Sequence, residues 1–166
     1  MKSKKDVKNI IKILKETYPE AECSLDFSNP FQMAVAVLLS AQCTDARVNI
    51  VTKELFKIAP NAKEMNKLTV EEIEKYISSC GLYKTKAKNI KKLVEKVVKE
   101  YDGNIPDNME ELMELPGIGR KSANVIMLEA FHNPQGVAID THAKRICNRI
   151  GISKEESPEK IEKDLL

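Results

Sequence analysis

The four cysteines of this chain form no Cys-x-x-Cys pair, and only two histidines accompany them. Cys23, Cys43, Cys80 and Cys147 are scattered, which predicts reduced thiols packed as small hydrophobes and no metal centre within these residues. Excess charge of one sign is also missing, since Lys+Arg 27 against Asp+Glu 25 leaves +2 over 166 residues. Overall charge therefore does not announce nucleic acid, and any such surface has to come from local clustering. No apolar run approaches the ~20 residues that span a bilayer. The longest, residues 33–39, reads as a buried helix segment. Met1-Lys2-Ser3-Lys4-Lys5-Asp6 leads straight into an amphipathic pattern, without a signal peptide. Repeats, low-complexity segments and strand-like alternation are absent. These absences predict a cytoplasmic, membrane-free, all-α protein.

What is present is helical periodicity. Residues 4–17 carry Val7, Ile10, Ile11 and Leu14 on one face, and Pro19 follows their end. Asn29-Pro30 is a cap followed by proline at the first helical position. Residues 33–39 are apolar on every side, so their helix belongs at the centre of the fold. Its end, Ser40-Ala41-Gln42-Cys43-Thr44-Asp45, places Gln42 at an edge of the core. A helix over about 45–58 follows, and Thr69 with Glu72 predicts a capping box for another. Gly81 reads as that helix's stop. Residues 84–100 put Ala87, Ile90, Val94, Val97 and Val98 inside and Lys84, Lys86, Lys88, Lys91, Lys92, Lys96 and Lys99 outside. The first turn of this lysine face could contact a DNA backbone; by itself such a run is usually a solvated face.

The most informative stretch is residues 107–130. Asp107 and Glu110 have the spacing of a reciprocal cap for a short helix edged by Leu112 and Leu115. Pro116 cannot continue it, and Gly117 and Gly119 allow a tight hairpin. A second helix starts near Arg120 with Ala123, Ile126, Met127 and Ala130 inside. Such a turn presents backbone N–H groups beside a helix N-terminus, a ready anion site. Arg120 and Lys121 stand at the end unfavourable for cations by ~0.3–1 kcal/mol each, which makes better sense with a phosphate between them. The plain alternative is two solvated cations. Downstream, Asp140 sits where an N-cap belongs, before a helix ended by Gly151. The helix from Arg120 carries the chain ~18 Å away, and residues 132–139 can span up to ~26 Å, so Asp140 can return towards Lys121. A neutral lysine can attack an electrophilic sugar carbon, and a carboxylate can stabilise the charge of a breaking glycosidic bond. Ser157-Pro158 starts a last helix that stops at Leu166 without a cap. Ile161 and Leu165 are expected to lie uncovered, as is the apolar face of residues 4–17.

Leu115-Pro116-Gly117-Ile118-Gly119-Arg120-Lys121-Ser122-Ala123-Asn124-Val125 resembles the hairpin of the helix–hairpin–helix (HhH-GPD) DNA glycosylases, and within them the endonuclease III family. Val137-Ala138-Ile139-Asp140-Thr141-His142, Leu38-Leu39-Ser40-Ala41-Gln42-Cys43-Thr44-Asp45 and Gly81-Leu82-Tyr83-Lys84-Thr85-Lys86-Ala87 are similar to three further segments of that family, in the same order. The resemblance implies a two-lobed, all-helical fold. One lobe is a six-helix barrel over 20–131 with the helix–hairpin–helix at 108–131; the other joins 1–19 to 132–166 and is incomplete at its C-terminal end. It implies a bifunctional glycosylase and abasic-site lyase of base excision repair, a monomer acting on duplex DNA with damaged pyrimidines or abasic sites. Lys121 would be the nucleophile and Asp140 the charge stabiliser. Gln42 would fill the gap of the flipped base and Leu82 would wedge the opposite strand. Lys84, Gly117, Gly119, Arg120, Thr141 and His142 would hold DNA. The family carries a C-terminal [4Fe–4S] cluster whose cysteines are not found in residues 1–166. Two alternatives stay open: an 8-oxoguanine-type glycosylase/lyase, and a non-catalytic helix–hairpin–helix module that only grips the DNA backbone.

Overall fold

A computed structural model describes residues 2–166. Ten helices run through them: α1 Lys4–Thr17, α2 Pro30–Ser40, α3 Asp45–Ile58, α4 Ala62–Asn66, α5 Val70–Ile77, α6 Tyr83–Tyr101, α7 Met109–Met113, α8 Arg120–Glu129, α9 Thr141–Ile150 and α10 Pro158–Leu165. No strand occurs among the described residues. The chain divides into two compact units. Ser24–Gln135 form the larger, and residues 2–23 with Gly136–Leu166 form the other.

The larger unit is built around α2. Asn29 caps it by accepting from the Gln32 N–H, and Pro30 opens it. Every residue from Phe31 to Leu39 is buried, so the helix has no polar side to show. It packs against α3, α6 and α8. Full burial of each large aliphatic side chain there contributes ~1.5–3 kcal/mol. Thr44 caps α3, and Thr69 with Glu72 forms the expected reciprocal box on α5.

Several sequence expectations shift. The short helix α4, capped by Asn61, has no counterpart in the periodicity, because five residues show too little of a 3.6-residue repeat. The cap of α7 is Asn108 with Glu111, one residue beyond Asp107 and Glu110. Gly81 is not the left-handed stop after α5; that conformation falls to Leu82, at φ 58. Lys86, expected on the solvated face of α6, is buried.

In the other unit α9 and α10 pack on each other around Ile139, Cys147 and Ile161, with Ala143 and Leu165 at the margin. Ile161 is thus fully covered and Leu165 partly so, against the expectation that both lie open. The backbone N–H of Lys2 donates to Gly151 O at 2.9 Å and joins the start of the chain to the end of α9. α1 buries none of its residues and leaves Ile11, Ile13 and Leu14 exposed. No helix among the described residues is long and apolar enough to cross a membrane.

Candidate nucleic-acid interface and catalytic residues

The hairpin lies in the larger unit. Leu112, Leu115 and Ile118 are buried and anchor it from below. The Ile118 N–H donates to Leu115 O at 3.1 Å and closes a turn with Pro116 and Gly117 at its centre. Gly117 has φ +83, and a Cβ built there would stand 2.9 Å from Leu38 Cδ1. Gly119 differs: its φ of −99 is ordinary extended backbone, and a Cβ would meet nothing within 4 Å. Gly117→Ala should therefore cost ~1–2 kcal/mol through its left-handed backbone alone, and more through Leu38. Gly119→Ala should keep the fold and lose less, at most ~1 kcal/mol, because alanine meets no clash there but is a poorer N-cap than glycine. Thermal denaturation of the pair checks this, and equal loss in both would contradict it. Because Gly119→Ala keeps the fold, any weakening of its DNA affinity reports the close approach of a phosphate.

Gly119 is the N-cap of α8, and no side chain caps that end. The first turn of α8 contains no acidic residue. The first N–H groups of a helix lack intrahelical acceptors, so this end offers free donors of the kind that suit an anion. Arg120 and Lys121 are both exposed there. Behind them Ala123, Ile126 and Met127 are fully buried, which fixes the rotation of α8 and keeps Lys121 outward.

Asp140 belongs to the other unit. It caps α9, with Oδ1 accepting from the Ala143 N–H at 2.7 Å. The loop leading to it is held by the buried carboxylate of Glu162 on α10, which accepts from the Val137 N–H at 3.2 Å. Thr141 and His142 are exposed in the first turn of α9, and Arg145 Nη2 lies 3.5 Å from His142 Nδ1.

Gln42 and Leu82 are brought together within the larger unit. Both are exposed and both adopt left-handed backbone, at φ 53 and φ 58. Gly81 stands between them, its Cβ position 3.4 Å from Gln42 O. Lys84 is exposed in the first turn of α6, which has no acidic residue either. The residue that the sequence reading missed is Lys86, 4 % exposed, whose Nζ donates to Leu39 O at 2.9 Å. The signal was available: position 86 lies four residues before Ile90 and seven before Leu93, on the inner stripe of α6.

The thiols of Cys43 and Cys80 also meet here. Burial, then the hydrogen bond with Cys43, pushes the Cys80 thiol up from 9.0 to about 11, against the opposing pull of Lys86 and Arg47. The folded state thus holds this proton more tightly than the unfolded chain does. The stability it represents is intact below pH 9 and is lost as the pH rises to about 11. Denaturation midpoints of the wild type should fall more steeply over that window than those of Cys80→Ala; parallel curves would contradict this. Among the described residues no three His, Cys, Asp or Glu side chains converge as a metal site. With no such group, Cys23, Cys43, Cys80 and Cys147 do not fit a [4Fe–4S] cluster, which gathers four thiolates at one point.

Residues 35–166 match the family described as HhH-GPD superfamily base excision DNA repair protein. The chain belongs to the HhH-GPD superfamily. Among its HhH-GPD relatives, endonuclease III of Synechocystis sp. is 48% identical over 167 residues, covering 100% of this chain and 76% of that protein. Endonuclease III of Bacillus subtilis is 46% identical over 152 residues, covering 91% and 69%. Among solved structures, a trapped covalent intermediate of an endonuclease III with DNA superposes with a TM-score of 0.95 at 41% identity, over 100% of this chain and 78% of that one. A non-covalent endonuclease III–DNA complex gives 0.94 at the same identity and coverage. A Clostridium acetobutylicum 8-oxoguanine glycosylase/lyase, at 20% identity and a TM-score of 0.68, shares the HhH-GPD fold.

Proposed function

We propose that this HhH-GPD protein is a base-excision-repair DNA glycosylase and abasic-site lyase that removes oxidised pyrimidines from duplex DNA. The observation that carries the reading is the exposed Lys121 on an uncapped helix N-terminus behind the Gly117–Gly119 turn, in a chain so similar to an endonuclease III that has been caught covalently on DNA. A module that only grips phosphate has no need of a nucleophile there.

In this reading the turn and the α8 N-terminus hold a phosphate of the damaged strand, with Gly119, Arg120 and backbone N–H groups as the contacts. Gln42 occupies the place of the extruded nucleotide, and Leu82 presses on the opposite strand. Lys84, Thr141 and His142 contact the backbone. The lone pair of Lys121 Nζ attacks C1′ of the flipped nucleotide. The glycosidic bond breaks, its electron pair leaves with the base, and the base takes up a proton. Asp140 stabilises the positive charge that develops on the sugar. The secondary amine so formed opens the sugar ring to an imine. Loss of a C2′ proton then expels the 3′ phosphate by β-elimination and nicks the strand.

Duplexes carrying one oxidised pyrimidine, one 8-oxoguanine or one abasic site separate the possibilities. The expected result is release of the pyrimidine and nicking of the abasic strand. Preferential excision of 8-oxoguanine would move the protein to the other glycosylase branch. Tight binding with neither excision nor nicking would leave a backbone-gripping module.

A further inference from the structure

Burying the end of a lysine is costly unless its amino group has a partner. Lys86 has one, the backbone oxygen of Leu39 at 2.9 Å. That carbonyl belongs to the last turn of α2, where oxygens lack intrahelical donors and where positive charge is favoured. Its neighbours are served locally: Ser40 Oγ donates to Val37 O at 2.8 Å and the Cys43 N–H to Ser40 O at 3.1 Å. Leu39 O instead draws its donor from 47 residues away in sequence.

The two turns that flank this contact carry the strained residues of the region. Gln42 follows the Leu39 carbonyl by three residues and Leu82 precedes Lys86 by four; both hold left-handed backbone that a side chain disfavours. Such conformations persist where the surroundings over-determine them. The turns touch, through Gly81 against Gln42 O and through the paired thiols of Cys43 and Cys80. The Lys86 N–H also donates to Leu82 O at 3.0 Å, so one residue binds both turns.

We propose that Lys86 is a positioning residue that ties the start of α6 to the end of α2 and so locks Gln42 and Leu82 into a single rigid wedge for opening duplex DNA. The proposal rests on the glycosylase reading above. A side chain driven into a base stack works only if the backbone behind it does not yield. Lys86 touches no reacting atom, so its influence is confined to substrates whose base pairs must be opened.

The test is Lys86→Met, which keeps an unbranched apolar stem of similar volume and removes the donor at its end. Excision of an oxidised pyrimidine from a duplex should fall about tenfold, the scale of one lost hydrogen bond to a buried carbonyl. The fluorescence rise of a 2-aminopurine placed beside the lesion should fall with it. Nicking of a single-stranded abasic oligonucleotide, where no pair has to open, should keep its wild-type rate. Equal losses on both substrates, or no loss on either, would overturn the proposal. A second comparison uses Leu82→Ala, an exposed truncation that removes half of the wedge. Adding Lys86→Met to it should cost clearly less than Lys86→Met costs alone, and additive losses would overturn the proposal. Wild-type protein inactive on both substrates would instead sink the glycosylase reading, and this proposal with it.

Discussion

Lys121→Gln will abolish strand nicking at abasic sites and base release together, by at least ~10³-fold, the scale on which loss of a covalent nucleophile acts. Glutamine keeps an unbranched polar side chain, one atom shorter, but offers no amine to attack C1′. The fold should not notice. Lys121 is exposed, and the rotation of α8 is fixed by Ala123, Ile126 and Met127 on the other side. Melting temperature and affinity for undamaged duplex should therefore stay close to wild type while turnover disappears. Affinity for a phosphate is the one property at risk, because a cation is lost from the α8 N-terminus. Arg120, the uncapped helix end and the Gly117 turn remain. Nicking that persists at the wild-type rate would show that another group forms the bond to DNA.

Asp140→Asn should slow base release by ~10²–10³-fold, as removal of a fixed group aimed at developing charge does elsewhere. This substitution separates the two things the carboxylate does. As the N-cap of α9 it accepts from the Ala143 N–H at 2.7 Å, and an asparagine oxygen can accept the same bond. Stability should change only by the lost charge at the helix N-terminus, ~0.3–1 kcal/mol. Asp140→Ala is the contrasting variant, losing ~1 kcal/mol more with the cap. Full turnover in Asp140→Asn would reduce the residue to a helix cap.

Much of the helix frame is legible in the sequence because caps and apolar stripes are local signals. Asn29-Pro30, Thr69 with Glu72, and Asp140 each act at the helix starts where their chemistry places them. The misses have physical causes. Asp107 and Asn108 are both good caps, each with a glutamate three residues on, so the register between them is set by packing of Leu112 and not by the cap itself. α4 is too short for periodicity to show. Leu82 takes the left-handed position beside a glycine free to take it, a choice made by the tertiary meeting of the Gln42 and Leu82 turns. The same meeting draws Lys86 inward: among seven lysines on one helix, composition suggests a solvated face, and only its place on the Ile90–Leu93 stripe marks it as different.

The candidate site residues are legible in the sequence for another reason. Gly117 is demanded by the backbone at φ +83, and cations at the uncapped start of α8 invite an anion. Ile161 shows the limit of reasoning by helix order. Its partner is not a following helix but α9, which precedes it, and the two share a core with Ile139 and Cys147.

The central claim is that Lys121 bonds to the sugar. Incubating the protein with an abasic duplex under sodium borohydride reduces the imine and freezes any such bond. Peptide mapping of the product should find the deoxyribose remnant on Lys121, with no adduct formed by Lys121→Gln. An adduct mapped to another lysine, or none in protein that still nicks the strand, would contradict the account.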